Sequence, residues 1–242
     1  MLKTAIWWTR SFISLSLYLR RIAILKYYSL TGQNEKHLKY AADSVTLWGK
    51  RRLKAAGVKV EVKGAENIPD KKGILFVSNH QSDFDILVLL GYIPVEKGFV
   101  AKKELSKIPL LSRWMRTIHC LFIDRSDMKQ QAKTIVDGIK LLKEGKNMVI
   151  FPEGTRSKGG PRHEFKAGSF RLATKSNAPI VPVSIDGSYK AFEANPHGYI
   201  RPCTVKLTIH KPIFTENLTK EELNELPKRV EQIVFSEVKE NK

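Results

Sequence analysis

The chain has 242 residues, enough for one α/β domain with an accessory segment or for two small domains. Its 42% hydrophobic and 27% charged residues exclude collagen-like and disordered classes and allow a sizeable core. A formal charge of +18 at pH 7 points to phosphate-bearing partners: nucleic acid, an anionic membrane surface or a phosphorylated small molecule.

From Met1 to Asn34 the chain carries no acid, while Lys3, Arg10, Arg20, Arg21 and Lys26 are spread among tryptophans and aliphatic residues. Only nine uncharged residues separate Arg10 from Arg20, against the roughly 18–20 that a membrane-crossing helix needs. A signal peptide does not fit, because Arg10 interrupts the apolar stretch and no small-residue cleavage site follows. Wound as a helix, Lys3, Arg10, Ser14 and Arg21 fall on one face and Phe12, Leu15, Leu19 and Ile22 on another. With Trp7 and Trp8 near one end, this pattern suits a helix lying in the interface of an anionic phospholipid membrane. An apolar face packed on the protein's own core has the same periodicity. Residues 1–50 are expected to form this N-terminal amphipathic membrane-association segment, and residues 51–242 a single α/β domain. The expected location is the cytoplasmic face of the cell membrane, held peripherally or monotopically. Cys120 and Cys203, 83 residues apart and outside any disulfide or zinc spacing pattern, fit a reducing compartment and read as small buried hydrophobes.

Between Val58 and Pro212, short runs of branched residues alternate with helical patterns, which predicts an α/β fold with a mixed, mostly parallel sheet flanked by helices. Strands are expected at Val58–Val62, Gly73–Ser78, Gly98–Ala101, Leu121–Asp124, Asn147–Phe151, Ile180–Ile185 and Val205–His210. Helices are expected at Asp83–Gly91, Lys129–Glu144, Gly168–Ser176 and Lys220–Glu240, with a short one near Pro109–Arg116. Residues 216–242 are net −2, leaving +20 on residues 1–215, so the basic surplus avoids the C-terminal helix.

The stretch Ser78-Asn79-His80-Gln81-Ser82-Asp83-Phe84-Asp85 follows an apolar run directly. On one continuous helix His80 and Asp85 would point about 140° apart. They meet only if His80 lies at the strand exit and Asp85 in the first helical turn, with Ser82 or Asp83 as cap. Such a pair fixes the imidazole tautomer and stabilises its protonated form, as a general base requires. A serine nucleophile is disfavoured because no G-x-S-x-G elbow occurs. The second stretch, Phe151-Pro152-Glu153-Gly154-Thr155-Arg156-Ser157, again leaves an apolar strand, and Glu153 and Arg156 are expected to project from the carboxyl edge of the sheet, where α/β ligands bind. The planar fork of Arg156 suits a phosphate. Phe122-Ile123-Asp124-Arg125 puts another arginine at a strand exit, and Pro182 in Ile180-Val181-Pro182-Val183 predicts an edge or bulge position. Lys102 and Lys103 precede a helix whose amino end favours anions.

In this order, the Asn79–Asp85 H-x-x-x-x-D box, the Phe122–Arg125 block, the Phe151–Ser157 block and Val181-Pro182-Val183 resemble the four blocks of the glycerolipid acyltransferases, most nearly the bacterial 1-acylglycerol-3-phosphate acyltransferases. The second block departs from the pattern, with Cys120 where many members carry glycine. The resemblance implies transfer of a fatty acyl group from acyl-CoA or acyl carrier protein to the 2-hydroxyl of lysophosphatidic acid, giving phosphatidic acid, with no metal or other cofactor. It implies His80 as general base and Asp85 as its orienting partner. Arg125, Glu153, Gly154, Thr155 and Arg156 fall in blocks associated with the glycerol phosphate; Lys102 is added, and Lys103 is an equal alternative. Another lysophospholipid, or glycerol 3-phosphate itself, is the alternative acceptor. Nucleic-acid binding would use the charge but leaves the strand-exit arrangement of His80, Arg125 and Arg156 unexplained. A metal-dependent phosphatase built on His80, Asp83 and Asp85 lacks a second ligand cluster.

Overall fold

The computed structural model describes residues 2–17 and 19–239. Seven strands, β1 (Val58–Lys63), β2 (Leu75–Ser78), β3 (Gly98–Lys102), β4 (Leu121–Ile123), β5 (Met148–Ile150), β6 (Ile180–Asp186) and β7 (Cys203–Ile209), form a sheet in the order β1-β7-β6-β2-β5-β3-β4. Every pairing is parallel except β6 with β7, so the mixed, mostly parallel sheet matches the expectation. Parallel strands need both faces covered. Phe76, Val149 and Val181 pack on one side, and Leu75, Val77, Met148, Ile150 and Ile180 on the other.

Of the two positions expected for Pro182, edge or bulge, the edge is not the one it takes. It lies in β6, an interior strand between β7 and β2. Its missing N–H falls where the β6–β7 ladder has ended at Val183↔Ile209, before the separate Ile180↔Ile213 bridge, and its carbonyl accepts from His210 N–H at 2.9 Å. The gap in the ladder, rather than an edge, accommodates the proline.

The helices are α1 (Leu2–Leu17), α2 (Leu19–Leu30), α3 (Asn34–Ala56), α4 (Phe84–Tyr92), α5 (Pro109–Thr117), α6 (Met128–Lys143), α7 (Arg171–Ser176) and α8 (Lys220–Phe235). A capping box between Thr219 and Glu222 opens α8, which ends at Phe235; Glu240, its expected last residue, lies outside the described residues. α3 packs on α4 closely enough that a Cβ at Gly49 would stand 2.9 Å from Gly91 N and Leu87 O. The first helices meet this body through specific contacts. Trp7 is buried, stacks on Phe84 at 5.3 Å and donates its indole N–H to Arg52 O. Ser14 Oγ accepts from Trp48 Nε1, and Arg21 donates to Ser44 Oγ, so two members of the expected charged face serve the packing on α3. Ile6, Trp8, Phe12, Ile13, Ile24, Tyr27 and Leu30 remain exposed, and the side chains of Leu15 and Leu19 lie outside the described residues. Among the described residues no helix is long and apolar enough to cross a membrane.

Candidate active site

Strands β2, β5, β3 and β4 are consecutive neighbours and mutually parallel, so the segments leaving their carboxyl ends converge on one edge. His80 stands two residues beyond β2 and Asp85 in the first turn of α4. His80 Nδ1 lies 2.8 Å from Asp85 Oδ2, which also accepts the N–H groups of Gln81 at 2.7 Å and Ser82 at 2.9 Å. Asp85 is fully buried. Three donors on one oxygen hold the carboxylate and fix the ring, leaving Nε2 without a partner among the described residues. The imidazole stacks on Phe151 with centroids 4.0 Å apart. Ser82, not Asp83, caps α4, its hydroxyl accepting Phe84 N–H at 3.0 Å.

The two motif loops are bonded to each other. Ser157 N–H donates to His80 O and Lys158 N–H to Gln81 O, while Asn79 exchanges two hydrogen bonds with the backbone of Ile185 on β6. Glu153 corrects the expectation that it projects from the sheet edge. The turn through Gly154, at φ +71°, leaves Glu153 buried, with Oε1 accepting His80 N–H at 2.6 Å and Oε2 accepting His163 N–H at 3.3 Å. Burial pushes its carboxyl up to about 7, against the lowering effect of those two N–H donors. Glu153 thus supports the backbone that carries His80.

A cleft of about 1680 Å³ opens beside this turn. His80, Arg125, Gly154, Thr155, Arg156, Lys102 and Lys103 line it together. Of the two lysines, Lys103 is paired with Asp124, which the lysine holds down at about 2, whereas Lys102 has no ion-pair partner among the described residues. The cleft's apolar lining includes Trp7, Phe84, Leu87 and Trp114, with Ile135 and Ile139 of α6. The N–H groups of His80, Gln81, Ser82 and Gly154 are all spent within the protein. Those of Thr155 and Arg156 have no acceptor among the described residues. Cys120 is buried: its Sγ accepts Phe99 N–H at 3.3 Å, and burial pushes the thiol up to about 12.

Glu193, in the loop after β6, belongs to none of the motifs read from the sequence. Its Oε2 accepts the Ser82 hydroxyl at 2.5 Å, and its Oε1 accepts Asp83 N–H at 2.9 Å and Arg156 Nη1 at 3.1 Å. Nothing in the local spacing of Tyr189-Lys190-Ala191-Phe192-Glu193 announces this, since the contacts are formed across more than 30 residues of sequence.

Residues 59–186 match the profile of the Acyltransferase family. The chain is 35% identical over 187 residues to a 1-acyl-sn-glycerol-3-phosphate acyltransferase of Saccharomyces cerevisiae, an alignment covering 76% of this chain and 61% of that protein. It is 32% identical over 155 residues to the enzyme of that name from Borreliella burgdorferi, covering 64% and 60% of the two chains. These alignments span only about three fifths of each relative's length. A probable 1-acyl-sn-glycerol-3-phosphate acyltransferase of Mycoplasma genitalium is 34% identical over 201 residues, covering 78% of this chain and 73% of that one. Among solved structures, the 1-acyl-sn-glycerophosphate (LPA) acyltransferase PlsC of Thermotoga maritima superposes with a TM-score of 0.80 at 31% identity, covering 96% of this chain and 93% of that chain.

Proposed function

The chain belongs to the acyltransferase family, and from that premise we propose that it transfers a fatty acyl group from a thioester donor, acyl-CoA or acyl carrier protein, to the 2-hydroxyl of lysophosphatidic acid. The product is phosphatidic acid, which places the reaction in phospholipid biosynthesis. The names of the relatives favour this acceptor over glycerol 3-phosphate or another lysophospholipid.

The observation that carries the mechanism is the His80–Asp85 pair, 2.8 Å apart, with Nε2 left for substrate beside a cleft. Nε2 removes the proton of the acceptor hydroxyl as its oxygen attacks the thioester carbonyl. The tetrahedral oxyanion is met by the uncommitted N–H groups of Thr155 and Arg156. Collapse breaks the C–S bond, and the leaving thiolate takes the proton from the imidazolium. Arg156, with Lys102 and Arg125, binds the acceptor's phosphate. Glu153 and Gly154 shape the loop. A thioester is already an activated acyl donor, so positioning, a base and oxyanion donors suffice, and the mechanism uses no cofactor.

Residues 1–50 form the membrane-association segment in this reading. Exposed Ile6, Trp8, Phe12 and Ile13 of α1 enter the lipid interface while Lys3 and Arg10 meet anionic headgroups, at the cytoplasmic face of the cell membrane. The experiment compares thiol release from palmitoyl-CoA with lysophosphatidic acid and with the same monoacylglycerol lacking its phosphate. Release that depends on the phosphorylated acceptor supports the reading; equal release with both contradicts the phosphate-binding role.

A further inference from the structure

Arg156 is not a free cation. Its Nη1 pairs with Asp83 and lies 3.1 Å from Glu193 Oε1, so two carboxylates meet one guanidinium nitrogen. The two acids are held differently. The Glu193 side chain is 5% exposed and takes two further hydrogen bonds, from the Ser82 hydroxyl and Asp83 N–H. The Asp83 side chain is 53% exposed, makes no capping bond to α4, and has Arg156 as its one side-chain partner among the described residues. Two carboxyl groups thus compete for one guanidinium at the place where an acceptor phosphate is to bind. Of the two, only Asp83 can turn into solvent without leaving buried donors unpaired.

We propose that Asp83 is a binding-site residue that screens Arg156 from the acceptor's phosphate until that phosphate displaces it, while Glu193 is the positioning residue that holds the guanidinium through the exchange. The proposal rests on the reading of Arg156 as a phosphate anchor. The phosphate must displace the aspartate to reach the guanidinium, so the screen lowers affinity for the phosphorylated acceptor. A half-exposed ion pair is weak in water, and its loss corresponds to about a two- to fivefold change in acceptor affinity.

The test is steady-state acylation of 1-oleoylglycerol 3-phosphate in detergent micelles, with palmitoyl-CoA as donor, by wild type, Asp83→Asn, Arg156→Ala and the double variant. Asp83→Asn lowers the acceptor KM about two- to fivefold, Arg156→Ala raises it, and Asp83→Asn changes nothing in the Arg156→Ala background, where there is no longer a guanidinium to screen. A contribution of Asp83 to the α4 dipole would instead lower the melting temperature equally in both backgrounds and leave KM alone. An unchanged or raised KM in Asp83→Asn, or an equal change in both backgrounds, overturns the screen while leaving the anchor standing. A wild-type KM in Arg156→Ala overturns the anchor, and the screen with it.

Discussion

His80 and His119 each stand beside a buried carboxylate, Asp85 and Glu96, at opposite edges of the same sheet. His80 and Asp85 follow the carboxyl end of β2; Glu96 and His119 precede the amino ends of β3 and β4. The first pair is 2.8 Å apart, and backbone N–H groups add two more donors to the carboxylate. The second is 3.7 Å apart, and Glu96 Oε1 and His119 Nε2 are buried with no hydrogen-bond partner among the described residues. Burial pushes Glu96 up to about 7, against the pull of Lys146 and Lys97, and the same burial, helped by Lys146 and His37, pushes His119 down to about 4. Between those values both groups are neutral. The lesson is that proximity of a histidine and an acid does not make a proton-transfer pair. Three donors on one carboxylate oxygen, and an edge where substrate can reach the far ring nitrogen, make the difference.

The largest test of this contrast is Asp85→Asn. Its amide oxygen still accepts, but neither the imidazole tautomer nor the imidazolium is held as before, and kcat is expected to fall about 10²- to 10⁴-fold with little change in KM. Glu153→Gln is smaller. One of the two N–H groups, of His80 or of His163, then faces an amide NH₂ instead of an oxygen, and a shift of the His80 backbone is expected to cost about tenfold in kcat. Circular dichroism with steady-state rates distinguishes that shift from unfolding.

The smallest effect belongs to the other edge. Glu96 binds its proton more tightly in the folded chain than in the unfolded one, so its contribution favours folding below about pH 4.5 and is lost as pH rises through about 7. Glu96→Gln is therefore expected to melt higher than wild type at pH 8, with the gap closing toward pH 4.5, and to change the transfer rate less than about twofold. A large loss of transfer in Glu96→Gln would break the comparison.

β2, β5 and β6 are legible because, buried on both faces, they read as unbroken apolar runs between turn residues. The geometry of His80 and Asp85 was legible for a different reason: a five-residue separation permits contact only across a strand-to-helix turn. α3 falls largely within the helical segment expected over residues 1–50, but its separate start and its packing are not legible, because its buried face includes the small residues Ala41, Ala42, Ser44 and Gly49 beside Val45 and Leu53 and gives no large apolar stripe. The loop that carries Glu153 is legible but the direction of its side chain is not, since the turn at Gly154 decides where it points and the residue names do not. Glu193 was illegible because its partners Ser82, Asp83 and Arg156 are brought to it only by the sheet order that sets β2 between β5 and β6.

Whether His80 is the base of an acyl transfer is decided by thiol release from palmitoyl-CoA in detergent micelles, with and without lysophosphatidic acid, for wild type, His80→Ala and His119→Ala. Wild type is expected to release thiol in an acceptor-dependent way, His119→Ala to retain that release, and His80→Ala to lose it by about 10²- to 10⁴-fold with the fold intact by circular dichroism. Near-wild-type release by folded His80→Ala would contradict that role.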